Sequence, residues 1–544
     1  MEQNAAVPAA PFNLLTASWL PVLRRSGARD TIRPTQITDR VADDPVIALD
    51  WPRADFRVAG LEFLIGLLST TLPPAEHNDW LDRWDEPPTP EELDTAFAPL
   101  AHVFDLDGPG PRFMQDREDL VSDSEPVERL LIESPGGSTA RNNTDLLVRR
   151  NRYTAFGRPA AAMALYTFQS WAPAGGAGNR TGLRGGGPMV TLVAPGAADT
   201  LWRLLWANVL LGEAPAPEDL PRVFPWLAPT ITSEGAAVVV PEVNAHPLQC
   251  WWGMPRRIRL DFAASAVPMP CDLTGTPDTV RVTGWRQRPR GANYAAWGGR
   301  HPLTPHYRLK PGSEVLPLHP QPGGVGYRHW LGLVTEGEGG LRTPAATVAA
   351  WRRTDRRAAD LGARTRLLAA GYDMDNMKAR GFVESEMPLP GAADPEAQDA
   401  FARALVRSAD LVAGLLRNAV RQALFSAGAT VKLDAELLAS QRERLWERTE
   451  TAFFVALLRQ GKEPEEGAKT AWLRLLREVA LSLFDEAAPL RPETSMASAA
   501  PRIATARRRL LFALTGFGKD GVALFGILGL PLPVSAAQKK RNAA

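Results

Sequence analysis

The chain has 544 residues, 45% hydrophobic and 23% charged, which supplies enough apolar material for a sizeable core and excludes wholesale disorder. Its 62 basic and 61 acidic residues nearly cancel, so no global basic excess advertises a nucleic-acid partner; eight of the basic residues are lysine and 54 are arginine. Two cysteines, Cys250 and Cys271, exclude a disulfide framework and a four-thiolate zinc site, and reduced thiols in a cytoplasmic protein are the expectation.

From residue 1 to about 390 the sequence is rich in proline and glycine, with short apolar runs at 189–193, 237–240 and 280–283 that read as strands. Helical patterns occupy 55–69 and 197–211. The stretches 134–151 and 286–305 read as long loops. Glu91-Glu92 reads as charge at a helix N-terminus, and Trp251-Trp252 as a packed strand. After residue 390 the texture turns helical. Asp394-Pro395 reads as an N-cap followed by proline at the first helical position. Four apolar stripes follow, through Phe401–Leu424, then Leu437 to Leu458, Trp472 to Phe484, and Ile503 to Leu514. The expected fold is therefore α+β: a mixed body over 1–390 with long loops, a four-helix bundle over 391–535 and a frayed tail over 536–544. Glu2 is acidic, and no basic segment precedes the first apolar stretch, which argues against a signal peptide. The apolar runs 63–68 and 521–534 fall short of the ~20 residues that cross a bilayer, so no membrane partner is expected.

Charge is segregated along the chain. Residues 41–130 have a net charge of −15, whereas 134–190 and 256–310 have +6 and +7. Such a distribution implies an acidic region that repels phosphate and two arginine-rich regions that attract it, or else solvated faces with no partner. The seven histidines have no metal-ligand spacing, and H-E-x-x-H, G-x-S-x-G and the P-loop are all missing, so neither an enzyme nor a metal or other cofactor is expected. The most unusual segment is 173–188, with seven glycines, two arginines and no acid. It reads as a phosphate-cradling nest, as a loop laid into a nucleic-acid groove, or as a flexible surface loop. Arg286, Arg288 and Arg290, alternating with Gln287 and Pro289, read as a stiff cationic finger or a plain surface turn. Asn376-Met377 reads as a tip able to wedge between base pairs, or as an ordinary connection.

Residues 12–22 (FNLLTASWLPV) resemble the N-terminal signature of CasA, the large-subunit family of the type I-E CRISPR surveillance complex Cascade. Residues 112–115 (RFMQ), 126–139, 182–186 (GLRGG), 283–285 (TGW) and 371–372 (GY) resemble further family motifs in the same order. The resemblance implies a non-catalytic subunit that recognises the protospacer-adjacent motif (PAM) in target duplex DNA, starts strand separation and recruits the Cas helicase-nuclease. It also implies contacts with guide RNA and the other Cascade subunits. By position, it assigns the minor-groove loop to Ala174, Gly175, Gly176, Ala177 and Gly178, with alanine interrupting the family's glycine pattern at 174 and 177. The family's lysine finger falls on Arg286, Arg288 and Arg290, with Arg288 or Arg290 as the substitute for lysine. Its glutamine wedge falls on Asn376, Met377 and Lys378. Its guide-RNA and subunit loop falls on Asn142, Asn143, Arg149, Arg150 and Arg152. The family's cysteine cluster is reduced here to Cys271, which implies no zinc. A nucleic-acid-processing enzyme and a structural scaffold without DNA reading are the competing classes.

Overall fold

Residues 11–145, 148–176, 178–196, 200–321, 323–353, 365–375, 377–425, 434–489 and 499–533 are described by the computed structural model. Strands β1 (Leu20–Arg24), β2 (Arg29–Ile32) and β3 (Val46–Leu49) form an antiparallel sheet of order β2-β1-β3. Helix α1 (Ala54–Thr71) follows, with fifteen buried residues. A helix apolar on nearly every side belongs in the middle of a core. Phe63 is its hub, meeting Trp19, Phe104, Phe113, Tyr166 and Trp252 edge-on at 5.6–6.1 Å. Helix α2 (Arg158–Trp171) packs against α1, and β4 (Val190–Ala194) follows.

Two long hairpins complete the body. Strands β5 (Arg257–Pro270) and β6 (Pro277–Arg288) form the first, with Glu125–Pro126 and Phe156–Gly157 pairing on β6. Strands β7 (Arg366–Asp375) and β8 (Lys378–Pro388) form the second, and β7 also pairs with β4. The body is thus mixed, as the composition implies, but several local expectations fail. Residues 237–240 form no strand: Val239 donates to the Asn293 carbonyl, and Asn244 turns the chain back by accepting from the Val240 amide at 2.7 Å. The helix expected over 197–211 is only Leu201–Trp206, capped by Thr200; residues 197–199 lie outside the described residues. Trp251 and Trp252 are buried in a turn, not a strand, while the acidic pair does open a helix, Pro90–Phe97.

The chain divides into two units, residues 1–324 with 332–389, and 325–331 with 390–544. The second unit contains α3 (Pro395–Leu424), α4 (Asp434–Arg459), α5 (Glu465–Ala487), α6 (Ala499–Leu514) and α7 (Gly518–Leu528). Among the described residues this is five helices, not the four expected. Gly516, at φ +90°, separates α6 from α7, the extra helix being formed within and just before the apolar run 521–534. The two helices have 16 and 11 residues, each shorter than the ~20 that cross a bilayer. The segment 325–331 joins this unit because Tyr327 stacks on Phe453 at 4.5 Å and shares a 2.6 Å hydrogen bond with Thr449.

Candidate nucleic-acid interface

The finger is the end of a strand, not part of a loop. In the first hairpin Arg257 lies opposite Arg288 and Arg259 opposite Arg286, so strand alternation puts four guanidinium groups on one face. Like charges at such spacing require counter-charges. The acidic segment supplies them: Arg257 meets Asp116 at 2.6 Å and Glu118 at 2.7 Å, Arg259 meets Asp119 at 3.3 Å, and Arg288 lies 3.6 Å from Glu118. Arg286 pairs with Asp261 at 3.0 Å and donates to the Ser122 carbonyl. The expectation of opposed acidic and basic regions is corrected here, because folding brings the acids of 116–119 onto the arginines they were to oppose. Arg290 is different. It is exposed, has no ion pair among the described residues, and sits past Pro289 at φ +62°.

The glycine-rich segment packs against this tip. The Arg290 amide donates to the Gly178 carbonyl at 2.9 Å, and a Cβ on Gly178 would stand 3.1 Å from Arg290 Cγ. Ser233 closes the corner, donating its amide to the Arg290 carbonyl and accepting from Arg180 Nε at 3.2 Å. Ala177 lies outside the described residues, while Ala174 is half-buried and Gly175 and Gly176 are exposed. At its far end the same segment meets the second hairpin. Gly187 has φ +62°, and a Cβ there would come within 2.8 Å of both Cβ and the carbonyl oxygen of Tyr372. One loop therefore touches the finger at one end and the wedge hairpin at the other.

In the second hairpin Asp375 lies opposite Lys378, leaving Asn376-Met377 as a two-residue tip. Such tips demand left-handed backbone. Met377 has φ +64° and is 61% exposed; Asn376 lies outside the described residues. Lys378 is exposed, with no carboxylate partner among the described residues, whereas Arg380 is paired with Asp373 at 2.7 Å. The hairpin base is anchored in the core. The Tyr372 hydroxyl donates to Asp55 at 2.6 Å, Arg53 joins Asp55 to Glu133, and Phe382 stacks on Trp171 at 5.9 Å. Burial and the adjacent Asp55 push the Tyr372 phenol well above its usual range, so it remains a donor. Tyr372→Phe is expected to destabilise the body by about 1.5–3 kcal/mol, the worth of a hydrogen bond to a charged group. Chemical denaturation measures this, and an unchanged midpoint would remove the hydroxyl from the anchor.

Residues 134–152 include a short helix, Gly137–Arg141, and are tied down at 151–153, whose amides all donate to the Glu128 carboxylate. Arg150 is paired with Asp145 and also donates to the side chain of Asn143 at 3.2 Å; Asn143 has φ +50°. Arg152 lies over the Tyr153 ring at 5.0 Å. Asn142 and Arg149 are exposed, without side-chain partners among the described residues.

Sequence reasoning passed over a pair that holds the glycine-rich segment in place. Arg184, 2% exposed, is ion-paired with Glu62, 1% exposed, in the middle of α1. Trp171 Nε1 donates to the same carboxylate at 3.3 Å, and Thr304 accepts from Arg184 at 3.3 Å. His301 lies 3.6 Å from Glu62, and burial first, then Arg184, drives its pKa well below the usual value, so it is neutral. The signal was available: Glu62 is the lone charge in an apolar run, and such a charge is buried only with a partner.

Residues 13–483 match the family model of CRISPR-associated protein Cse1. The chain belongs to the Cse1 family. Its fold is similar to that of Cse1 from Acidimicrobium ferrooxidans (19% identity, 93% of this chain and 99% of that one, TM-score 0.66). It is likewise similar to CasA (Cse1) from Thermus thermophilus (18%, 92% and 99%, TM-score 0.68) and to Thermobifida fusca Cse1 (18%, 95% and 98%, TM-score 0.69). A chain of a CRISPR RNA-guided surveillance complex matches at 18% identity over 93% of this chain and 99% of its own, with a TM-score of 0.63. In this Cse1 chain the motifs that carry the resemblance are structural. Asn13 bonds the Ala101 carbonyl and Asp105, Gln115 bonds Leu106 and Leu260, and Trp285 Nε1 donates to the Pro126 carbonyl.

Proposed function

We propose that this chain is the PAM-reading subunit of an RNA-guided, type I-E surveillance complex, acting without catalysis of its own. The observation that best supports this reading is the shared packing of the glycine-rich segment, against Arg290 at one end and Tyr372 at the other. Duplex DNA entering over that segment meets exposed backbone at Gly175 and Gly176, with, on one flank, an arginine that has no ion pair among the described residues and, on the other, an exposed methionine tip. Arginine suits a narrow minor groove, and an apolar tip suits insertion between base steps. Met377 with Lys378 then splits the first base pair, and pairing with the guide continues from there. Asn142, Arg149 and Arg152 supply contacts to guide RNA or neighbouring subunits, and a Cas helicase-nuclease is recruited to degrade the target. Such a complex works in the cytoplasm, on invading DNA. The test is binding of the assembled complex to a library of duplexes randomised at the PAM. A few sequences should be enriched with wild type, and Met377→Gly should bind them while opening the duplex more slowly, read by a base-analogue fluorophore. A wild-type complex with no sequence preference would leave only the scaffold role.

A further inference from the structure

Arg256 is a buried and poorly compensated charge. It is 6% exposed and has no carboxylate partner among the described residues. Buried cations are normally paired, and an unpaired one is costly. Its contacts are few. One Nη donates to the Pro173 carbonyl, the guanidinium lies 4.8 Å over the Phe168 ring, and Nε has no hydrogen-bond partner. The backbone on either side is pinned, its amide donating to Gln169 Oε1 at 3.0 Å and its carbonyl accepting from Gln169 Nε2 at 2.9 Å, so the side chain is held where it is. Burial pushes its pKa down to about 10, and it stays charged at neutral pH.

The place matters as much as the charge. The guanidinium lies against the exposed glycine-rich segment: a Cβ on Gly175 would stand 3.2 Å from Nη1, and 3.1 and 3.2 Å from Cβ and Nδ2 of Asn179. Gly175 has ordinary backbone angles, so what glycine provides here is closeness of approach. A buried charge is screened little by salt or water and projects its field through a thin cover of backbone. Arg286 and Arg288 of the finger face carboxylates instead; Arg256 does not.

We infer that Arg256 and the backbone of Gly175–Gly176 form a phosphate site, and that a phosphodiester of bound nucleic acid is the missing counter-charge of Arg256. The ligand chemistry is a phosphate oxygen seated over Gly175–Gly176; the Gly175 amide is already donated to the Asn179 carbonyl, so the charge is met chiefly by the guanidinium behind the loop. This rests on the DNA-binding reading above for the source of the phosphate, but not for the existence of the site.

The experiment is thermal melting of the full chain, wild type, Arg256→Met and Gly175→Ala, each alone, with a short DNA duplex, and with inorganic phosphate against chloride at equal ionic strength. Met removes the charge at similar bulk; Ala keeps the charge and crowds a methyl against Nη1 and the Asn179 side chain. Wild type is expected to gain melting temperature from both ligands. Both variants should gain much less, with duplex affinity about tenfold weaker on any sequence. Equal ligand-induced gains in wild type and variants overturn the site, whatever the variants' own melting temperatures. A wild type stabilised by phosphate but not by duplex keeps the site and removes the DNA reading. A wild type indifferent to both removes the site.

Discussion

Glu62→Gln is expected to destabilise the body by about 3–5 kcal/mol, because it leaves Arg184 charged and buried without its counter-ion. Arg184→Met should cost a similar amount, since among the described residues the Glu62 carboxylate then keeps the Trp171 hydrogen bond and a neutral His301 3.6 Å away, but no cation. The double variant Glu62→Gln/Arg184→Met should recover most of either loss, because a buried pair replaced as a unit is often close to neutral. Denaturation of the three variants decides it, and a double variant as unstable as the two losses summed would mean that the pair does not act as a unit. The consequence reaches the interface. Arg184 is the tether between α1 and the glycine-rich segment, so Glu62→Gln should also weaken duplex binding, although Glu62 lies in the core.

How much of this was legible in the sequence depends on the range of the interaction. Local signals read well. The Asp394 cap is real, its side chain accepting from the Ala397 amide at 3.0 Å, and the turn at 376–377 is where the hairpin reverses. Charge counted by segment read badly, because pairing is decided by register. The partners of Arg257 and Arg288 lie about 140 and 170 residues away along the chain. The 237–240 run failed for a related reason: valine-rich composition predicts a strand only where a neighbouring strand is available, and here the partner is a single carbonyl, Asn293. The finger was found as a motif, but which of its arginines is free was not. That depended on where Asp261 and Glu118 come to rest.

That distinction yields the sharpest functional prediction. Arg290→Asn is expected to weaken binding of the assembled complex to its preferred duplex by about 1–3 kcal/mol, if Arg290 contacts base edges. If it contacts phosphate instead, the loss is uniform across sequences and the salt slope falls by about 0.9. Asparagine is chosen over alanine because the residue sits at φ +62°, which asparagine tolerates, and the amide that bonds Gly178 is retained. Arg286→Ala is the control, in the same motif and four residues away. Its guanidinium is already committed to Asp261 and the Ser122 carbonyl, so its loss should change duplex affinity by no more than about 0.5 kcal/mol, the scale of an exposed ion pair. Affinity measured across a salt series separates the three outcomes. Equal losses at 286 and 290 would mean that proximity to the finger tip, not freedom from carboxylates, decides which arginine meets DNA.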